Sequence, residues 1–410
     1  MLTPRDLVGQ RSETVRRSNL SAIVRELHLR GPRSRSELVA RTGLTRSAIR
    51  GLIGELAAAG LVEETPNAPD GAPGRPSPLV HPNPDGAVVL ALEVNVDSLA
   101  AAVVGFGGRV HILRRVDRPR AHLALDKIVA DLVALAAPLL HRVDRDALGA
   151  VGVAVAGIVR RSDGLVRMGP NLGWRDEPLG LRVAAALDLD VPVHVANESD
   201  LGGLAEHRRG AAVGFASVVY VMGEVGVGGN VIVEDMPLVG ASGYAAEVGH
   251  MSVNPDGAPC GCGSVGCWET EVGEGALLLR AGRDPEGGRA AIDALIDDAV
   301  AGDAQARAGL DHVARWLGIG LATLVNVFDP ERIVLGGIFE RIHPLIGDAL
   351  DRELDARALP ASRELVRVVP GALGVDGPLI GAAEHAFEPM LADPAVRLEA
   401  IRRRPLRASA

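Results

Sequence analysis

The feature that most constrains how this chain folds is a change of apolar rhythm across a proline- and glycine-rich stretch from Pro66 to Pro84. Proline lacks the amide that a helix interior needs, so the stretch cannot be regular helix and reads as a wing tip or linker. Before it, apolar residues recur at helical spacing. After residue 87, short apolar strands alternate with helices, the texture of a mixed α/β body. With 410 residues, 47% of them apolar, the chain is too long for one ordinary domain and can bury two or three cores.

In the head, Leu20, Ile23, Val24 and Leu27 fall at i, i+3, i+4 and i+7, which predicts an amphipathic helix ending near Gly31-Pro32. Ser34 stands three residues before Glu37, the spacing of a capping box, and opens a second helix. Gly43 permits the reversal that follows. Thr45 then caps a third helix, striped by Ile49, Leu52, Ile53 and Leu56, that stops at Gly60, and Leu61 to Glu64 reads as a short wing strand. A plain three-helix bundle would carry the same stripes, but charge favours a different reading. Residues 1–60 hold eleven Arg and five acids, a net +6, which leaves −15 on the rest of a chain whose net charge is −9. A basic helix-turn-helix suits double-stranded DNA. Arg46, Ser47 and Arg50 lie opposite the apolar stripe, in the first turn and a half of the third helix, where a recognition helix meets base edges. In Gly74-Arg75-Pro76, Arg75 could enter a minor groove or stay an ordinary linker arginine.

In the body, two segments look alike. Ala87 to Leu92, Leu99 to Val104 and Arg109 to Leu113 give strand, strand, Gly-rich turn, strand, and Ser217 to Met222, Gly229 to Val233 and Pro237 onward repeat the pattern. The duplication predicts two related lobes with a cleft between them. A helix striped by Val313, Trp316, Leu317, Leu321 and Leu324 precedes a strand, Arg332 to Leu335, closed by Gly336-Gly337. The longest apolar runs, such as Ala147 to Val159, are broken by glycine and fall short of the ~20 residues that span a bilayer. The opening MLTPRDLVGQ lacks the apolar core of a secretory signal. A cytoplasmic protein with no membrane partner is expected.

The three cysteines all fall within Cys260-Gly-Cys262-Gly-Ser-Val-Gly-Cys267, with His250 ten residues upstream. An odd number so confined is no disulfide framework and implies a reducing compartment. Three thiolates and one imidazole, His250, Cys260, Cys262 and Cys267, instead suit a closed tetrahedral Zn2+ site, which leaves no position for an activated water, so the zinc is expected to be structural. Beside it stand Glu247 and Glu269. A rigid loop holding two carboxylates suits recognition of sugar hydroxyls, because each carboxylate accepts several hydrogen bonds, although either acid alone would read as structural.

These motifs carry a resemblance. Glu247-x-x-His250 followed by C-x-C-G-x-x-G-C-x-E, the stretch Gly169-Pro-Asn171-Leu-Gly-Trp174, and Val375-Asp-Gly-Pro-Leu-Ile-Gly381-Ala-Ala resemble the ROK family (repressors, open reading frames and kinases). The whole chain, over about residues 15 to 388, resembles the family's regulators of xylose or N-acetylglucosamine genes. The resemblance implies a winged helix-turn-helix followed by a two-lobed actin-like, ribonuclease-H-like sugar-kinase fold. It implies that Asn197, Glu247, His250 and Glu269 contact sugar hydroxyls, with Asn171 and Glu198 completing the set, and that His250 turns its other ring nitrogen to zinc. The expected divisions are 1–80 for the DNA-binding head and linker, 81–200 and 201–388 for the lobes, the C-terminal helix packing back on the first lobe, and 389–410 for a loose tail.

The chain also departs from the family's kinases. They carry Asp-x-Gly-Gly-Thr on the first hairpin, where this chain has Glu93-Val-Asn95-Val-Asp97-Ser98, and Gly-Thr-Gly on the second, where it has Gly223-Glu224-Val225-Gly226. Asp97, the Asn95 side chain and Glu224 would oppose a polyphosphate by charge and bulk. The kinases' general-base Asp is here Glu198, whose extra methylene moves the carboxylate by about 1 Å, worth roughly a hundredfold where attack geometry matters. The expectation is a DNA-binding regulator, in the first instance a repressor, of carbohydrate-related genes. Its effector would be a sugar or sugar phosphate, and it would act as a dimer or dimer of dimers on an inverted-repeat operator. An ATP-dependent sugar kinase with an accessory DNA-binding domain, or a DNA-binding protein with a vestigial cleft, are the competing readings.

Overall fold

The structure is a computed structural model that describes residues 12–66 and 77–402. Its head begins with α1 (Ser12–Arg30), β1 (Arg33–Ser34), α2 (Arg35–Thr42) and α3 (Arg46–Ala58). The caps form as the side-chain chemistry requires: Ser34 Oγ accepts from the Glu37 amide at 3.2 Å, and the Glu37 carboxylate accepts from the Ser34 amide at 2.7 Å. Gly43 sits at φ 71°, and Thr45 Oγ1 accepts from the Ala48 amide at 3.2 Å. Next come β2 (Val62–Thr65) and β3 (Leu79–Pro82), in a small sheet ordered β1-β3-β2 with Glu64 opposite Val80. The stretch read as wing tip or linker thus contains the returning wing strand, with proline admitted only at its end. Residues 67–76, Arg75 among them, lie outside the described residues.

The body holds two sheets of one topology. In the first, β4 (Val88–Val94), β5 (Ser98–Gly105) and β6 (Arg109–Asp117) form an antiparallel meander. Helix α4 (Leu125–Leu140) crosses to β7 (Leu148–Val155), parallel to β4. A side sheet of β8 (Ile158–Arg160), β9 (Leu165–Gly169) and β10 (Trp174–Glu177) and helix α5 (Leu179–Leu187) then lead to β11 (Val193–Asn197), parallel to β7. Helix α6 (Glu198–Arg209) leaves it for the second meander, β12 (Val218–Gly223), β13 (Val227–Val233) and β14 (Met236–Pro237). Four helices follow: α7 (Glu269–Val272), α8 (Glu274–Arg280), α9 (Gly288–Ala301) and α10 (Ala304–Phe328). They precede β15 (Arg332–Gly337), then α11 (Ile338–Arg357), α12 (Pro360–Leu365) and β16 (Arg367–Pro370). Read from the meander edge, the order β6-β5-β4-β7-β11 corresponds in connection and direction to β14-β13-β12-β15-β16, so the duplication read from the sequence is one of topology.

Helix α13 (Gly377–Ala392) returns from the second sheet to lie on β4, β7 and α6. The approach is close enough that a Cβ at Gly152 would collide with the Ala382 carbonyl, and one at Gly381 with that of Leu201. The other face of α13 meets the head. Leu20, Ile23, Val24 and Leu27 of α1 share one buried cluster with Phe106, Leu379, Phe387 and Leu391, so head and first lobe have a common core. At its centre the His28 ring stacks on Phe106 at 5.4 Å and tilts against Phe387 at 4.8 Å.

The segment after residue 388, expected to be a loose tail, is corrected by the structure as far as residue 402. Helix α14 (Pro394–Arg402) packs on α1, with Ala395 and Leu398 buried and Arg17 of α1 paired to Asp393 at 2.8 Å and to Glu399 at 3.4 Å. The arginine-rich composition masked the two apolar residues that cover α1. Among the described residues no helix is long and apolar enough to cross a membrane.

Because Phe387 is buried in the shared core, Phe387→Ala is expected to destabilise the chain by about 3–5 kcal/mol. Calorimetry should then resolve the head's melting from that of the body.

Candidate functional site

Asn171, Asn197, Glu198, Glu247, His250 and Glu269, all singled out in the sequence, line one cavity of about 320 Å³ between the two sheets. Each is placed by local structure. Asn197 ends β11 and caps α6: its Oδ1 accepts from the Ser199 amide at 2.7 Å and the Asp200 amide at 3.4 Å, while Nδ2 donates to the Gly157 carbonyl at 2.9 Å. Glu198, the first residue of α6, is buried at the cavity wall, and its Oε2 has no hydrogen-bond partner. Asn171 is carried by the turn Pro170–Leu172. A Cβ on Gly226 would lie 3.0 Å from Glu269 Oε2 and 3.8 Å from Asn171 Nδ2, so this glycine keeps the space between those side chains open. Ala246 adopts a left-handed φ of 65° immediately before Glu247, a strained position of the kind that clusters at functional sites.

The carboxyls are electrostatically crowded. Burial, reinforced by Glu224, Glu93 and Asp97, pushes Glu198 well above the ordinary carboxylate range. Burial also raises Glu224 to about 7, Glu247 to about 7 and Asp200 to about 6. On the first hairpin, Glu93 is held by Arg115 through two bonds of 3.0 Å. The Asn95 side chain turns onto its own loop, where Oδ1 accepts from the Val96 amide at 2.5 Å. Asp97 pairs with Arg120 at 3.4 Å and, across the lobes, with Arg289 at 3.2 Å. Arg120 also reaches across the lobes to Glu274.

Beside the cavity, ligand atoms of His250, Cys260, Cys262 and Cys267 all lie within 4.8 Å of one another, and the four could hold a metal ion. Cys260 Sγ is 3.7 Å from His250 Nδ1, and Cys262 Sγ is 3.7 Å from Cys267 Sγ. The loop is anchored from behind by Trp268, fully buried, whose indole donates to the Trp316 carbonyl of α10 at 2.8 Å. Glu269 Oε1 lies 3.6 Å from His250 Nδ1, tying the cavity wall to the cluster.

On the head, Arg46, Ser47 and Arg50 are exposed on α3, and Ile49, Leu52, Ile53 and Leu56 are buried beneath them. Arg46 and Arg50 line a groove with Arg35, Ser36, Ser77 and Pro78. The sequence reading missed Arg35 and Ser77 because they come from the flanking helix and the wing, not from α3. It also missed the cluster under α1. There Glu384, buried on α13, accepts from His28 Nε2 at 3.1 Å and from Arg209 at 2.8 Å, with Arg208 at 3.5 Å. These partners are 356 and 175 residues from Glu384 in sequence, a distance over which no spacing rule signals a pair.

Glu224 offers a test of the cavity's electrostatics. Its native pKa, about 7, lies above the ordinary 4.5, so the stability it contributes is present below pH 4.5 and is lost as pH rises through 7. Glu224→Gln should come close to the parent in urea unfolding at pH 4 and exceed it at pH 8 by on the order of 3 kcal/mol.

Comparison with known proteins agrees with this architecture. The ROK family profile matches residues 89–388, and the MarR family profile matches residues 20–72. The chain is 26% identical over 379 residues to the xylose repressor of Bacillus spizizenii, covering 92% of this chain and 97% of the repressor. It is 32% identical over 320 residues to the glucokinase of Streptomyces coelicolor, covering 74% of this chain and 98% of the kinase. Among solved structures, a ROK family transcriptional regulator homologous to the Escherichia coli MLC protein has the same fold. The TM-score is 0.77 at 23% identity, over 95% of this chain and 99% of that one. The head is a MarR-type winged helix, and the chain belongs to the ROK family.

Proposed function

We propose that this chain is a cytoplasmic DNA-binding repressor of carbohydrate-related genes, controlled by a sugar in the cleft of its ROK body, and that it is not itself a kinase. The observation that carries this reading is α6. Its first turn, with Asn197 and Glu198, stands in the cavity. Its last turn, about 18 Å away for twelve residues, presents Arg208 and Arg209 to Glu384, on which His28 of the head also rests. A sugar that shifts α6 therefore bears on the seat of the DNA-binding head. Similarity to the xylose repressor across almost the whole chain supports the same reading.

In this reading Asn171, Asn197, Glu198, Glu247, His250 and Glu269 bind the sugar, and Arg46, Ser47, Arg50 and Arg75 bind DNA. Two heads in a dimer would read an inverted repeat, as two-fold proteins do. The kinase reading keeps two observations in its favour, the similarity to glucokinase and the carboxylate that Glu198 retains. Asp97 and Glu224 weigh against it, because both add negative charge where a polyphosphate would approach. ATP turnover near the ~10 s⁻¹ typical of enzymes, across common hexoses, would establish the kinase instead.

The metal is proposed to be zinc. Three thiolates and an imidazole form its usual structural set, and a tetrahedron with ~2.3 Å bonds to sulfur has sulfur–sulfur edges of about 3.8 Å, close to the 3.7 Å between Cys262 and Cys267. Zinc would hold the loop that carries Glu269 against the cavity. One equivalent per chain is expected by metal analysis, and Cys262→Ser should lower both zinc content and sugar affinity. Metal-free protein with full sugar affinity would contradict this.

DNA recognition is tested at α3. If Arg50 reads a base edge, Arg50→Ala should cost about 1–3 kcal/mol on the cognate operator and much less on random DNA. An equal loss on both would place Arg50 on phosphate.

A further inference from the structure

Helix α6 leaves the first sheet at Asn197 but rests on β12 and β13 of the second, while α13 leaves the second sheet to lie on the first. The two helices also pack on each other so closely that a Cβ at Gly381 of α13 would collide with the Leu201 carbonyl of α6. Which lobe α6 follows therefore depends on what fastens its last turn. One side chain does so. Glu206, buried in that turn, accepts through Oε2 from the Ala211 amide at 2.6 Å and through Oε1 from the Ala372 and Leu373 amides at 2.9 Å each. All three donors belong to the second lobe. Ala211 opens the link to β12, and its carbonyl accepts from Arg332 of β15 at 2.7 Å. Ala372 and Leu373 follow β16, and the Gly371 amide just before them still donates to the Leu335 carbonyl of β15 at 2.8 Å. Removing a carboxylate from water is costly unless it is well hydrogen-bonded, and here three peptide amides close on both oxygens. The backbone leaves room only for that group: a Cβ at Gly210 would collide with Glu206 Oε2, and one at Gly371 would lie 2.9 Å from Oε1.

We propose that Glu206 is the positioning residue that makes the last turn of α6 part of the second lobe, so that lobe closure on a sugar is delivered to Arg208 and Arg209 and through them to Glu384. The inference rests on the reading of the cleft as a sugar site that controls the head, and names the residue that carries the movement. Arg208 and Arg209 follow Glu206 directly along the helix, and their partner Glu384 stands on α13, which lies on the first lobe. With the clasp made, displacement of the second lobe strains those ion pairs. With the clasp broken, the last turn of α6 stays with α13 and the pairs feel little. Glu198, at the cleft end of α6, is about 12 Å from Glu206 along the helix, so a bound sugar does not touch the clasp itself. A glutamine in its place keeps one acceptor oxygen and turns an NH2 group toward a backbone N–H, which removes at least one of the three bonds.

The test compares three quantities in the full-length parent, Glu206→Gln and Gly371→Ala. They are affinity for a duplex that the parent selects from a random-sequence pool, affinity for sugar by calorimetric titration, and the change in duplex affinity that sugar produces. The sugar probes are D-glucose, D-mannose, D-xylose and N-acetyl-D-glucosamine. Glu206→Gln should keep the first two within about threefold of the parent and lose about fivefold or more of the third. Gly371→Ala presses on the clasp without altering α6 and should reproduce that loss. The double variant should be no worse than the more affected single one, because both changes open one contact. Where Glu206→Gln fails to fold, Gly371→Ala decides alone. An undiminished response in the variants, or a response that falls only in step with sugar or duplex affinity as a merely structural role would make it, would overturn the inference and leave the sugar-controlled repressor standing. A parent whose duplex affinity none of the sugars changes would overturn that reading, and the inference with it.

Discussion

Glu384 is the residue on which the union of the two halves depends. Removing a carboxylate from water is costly unless its charge is answered, and here the answer comes from α6 and α1 together. Burial alone would raise its pKa, but His28, Arg209 and Arg208 together outweigh that and hold it below the ordinary range. The charge is supplied by the arginines and not by the imidazole. Burial pushes the His28 pKa down, and its Nδ1 accepts from the Gly107 amide at 3.1 Å, which fixes a neutral ring whose Nε2–H donates to Glu384. His28 is thus a hydrogen-bonding gasket between head and body, and Arg208 and Arg209 are the counter-ions.

Several features follow from that arrangement. The head cannot swing freely while α1 shares its core with α13 and His28 stacks on Phe106 and Phe387. Any motion of α6 along its axis moves Arg208 and Arg209, and with them the only formal positive charges in contact with Glu384 among the described residues. Coupling of this kind requires that the sugar favour one arrangement over another, and typical coupling energies of 1–3 kcal/mol are within reach of one rearranged ion pair. Two further ion pairs, Asp97 with Arg289 and Arg120 with Glu274, also bridge the lobes.

Much of this was legible in the sequence, for physical reasons that can be named. The head was readable because capping chemistry is local: Ser34 and Glu37, or Thr45 and Ala48, find each other within one turn. The cavity was readable because its residues fall in short motifs at strand ends and around a metal-ligand cluster. The returning strand Leu79–Pro82 was hidden by the prolines in and around it, and α14 by its arginines. The seat of the head was not readable, since His28, Arg209 and Glu384 meet only through the tertiary fold. Nor could spacing reveal that the Asn95 side chain turns onto its own loop instead of standing in the cleft.

The central claim is that α6 transmits the state of the cleft to the head through Glu384. The measurement that tests it most directly is operator affinity with and without saturating sugar, in the parent chain and in Arg209→Lys, which keeps the charge but loses the planar fork that holds Glu384 and the Gly107 carbonyl. The account predicts that Arg209→Lys binds operator and sugar separately much as the parent does, while the sugar-induced change in operator affinity falls several-fold. An undiminished response in that variant would contradict it.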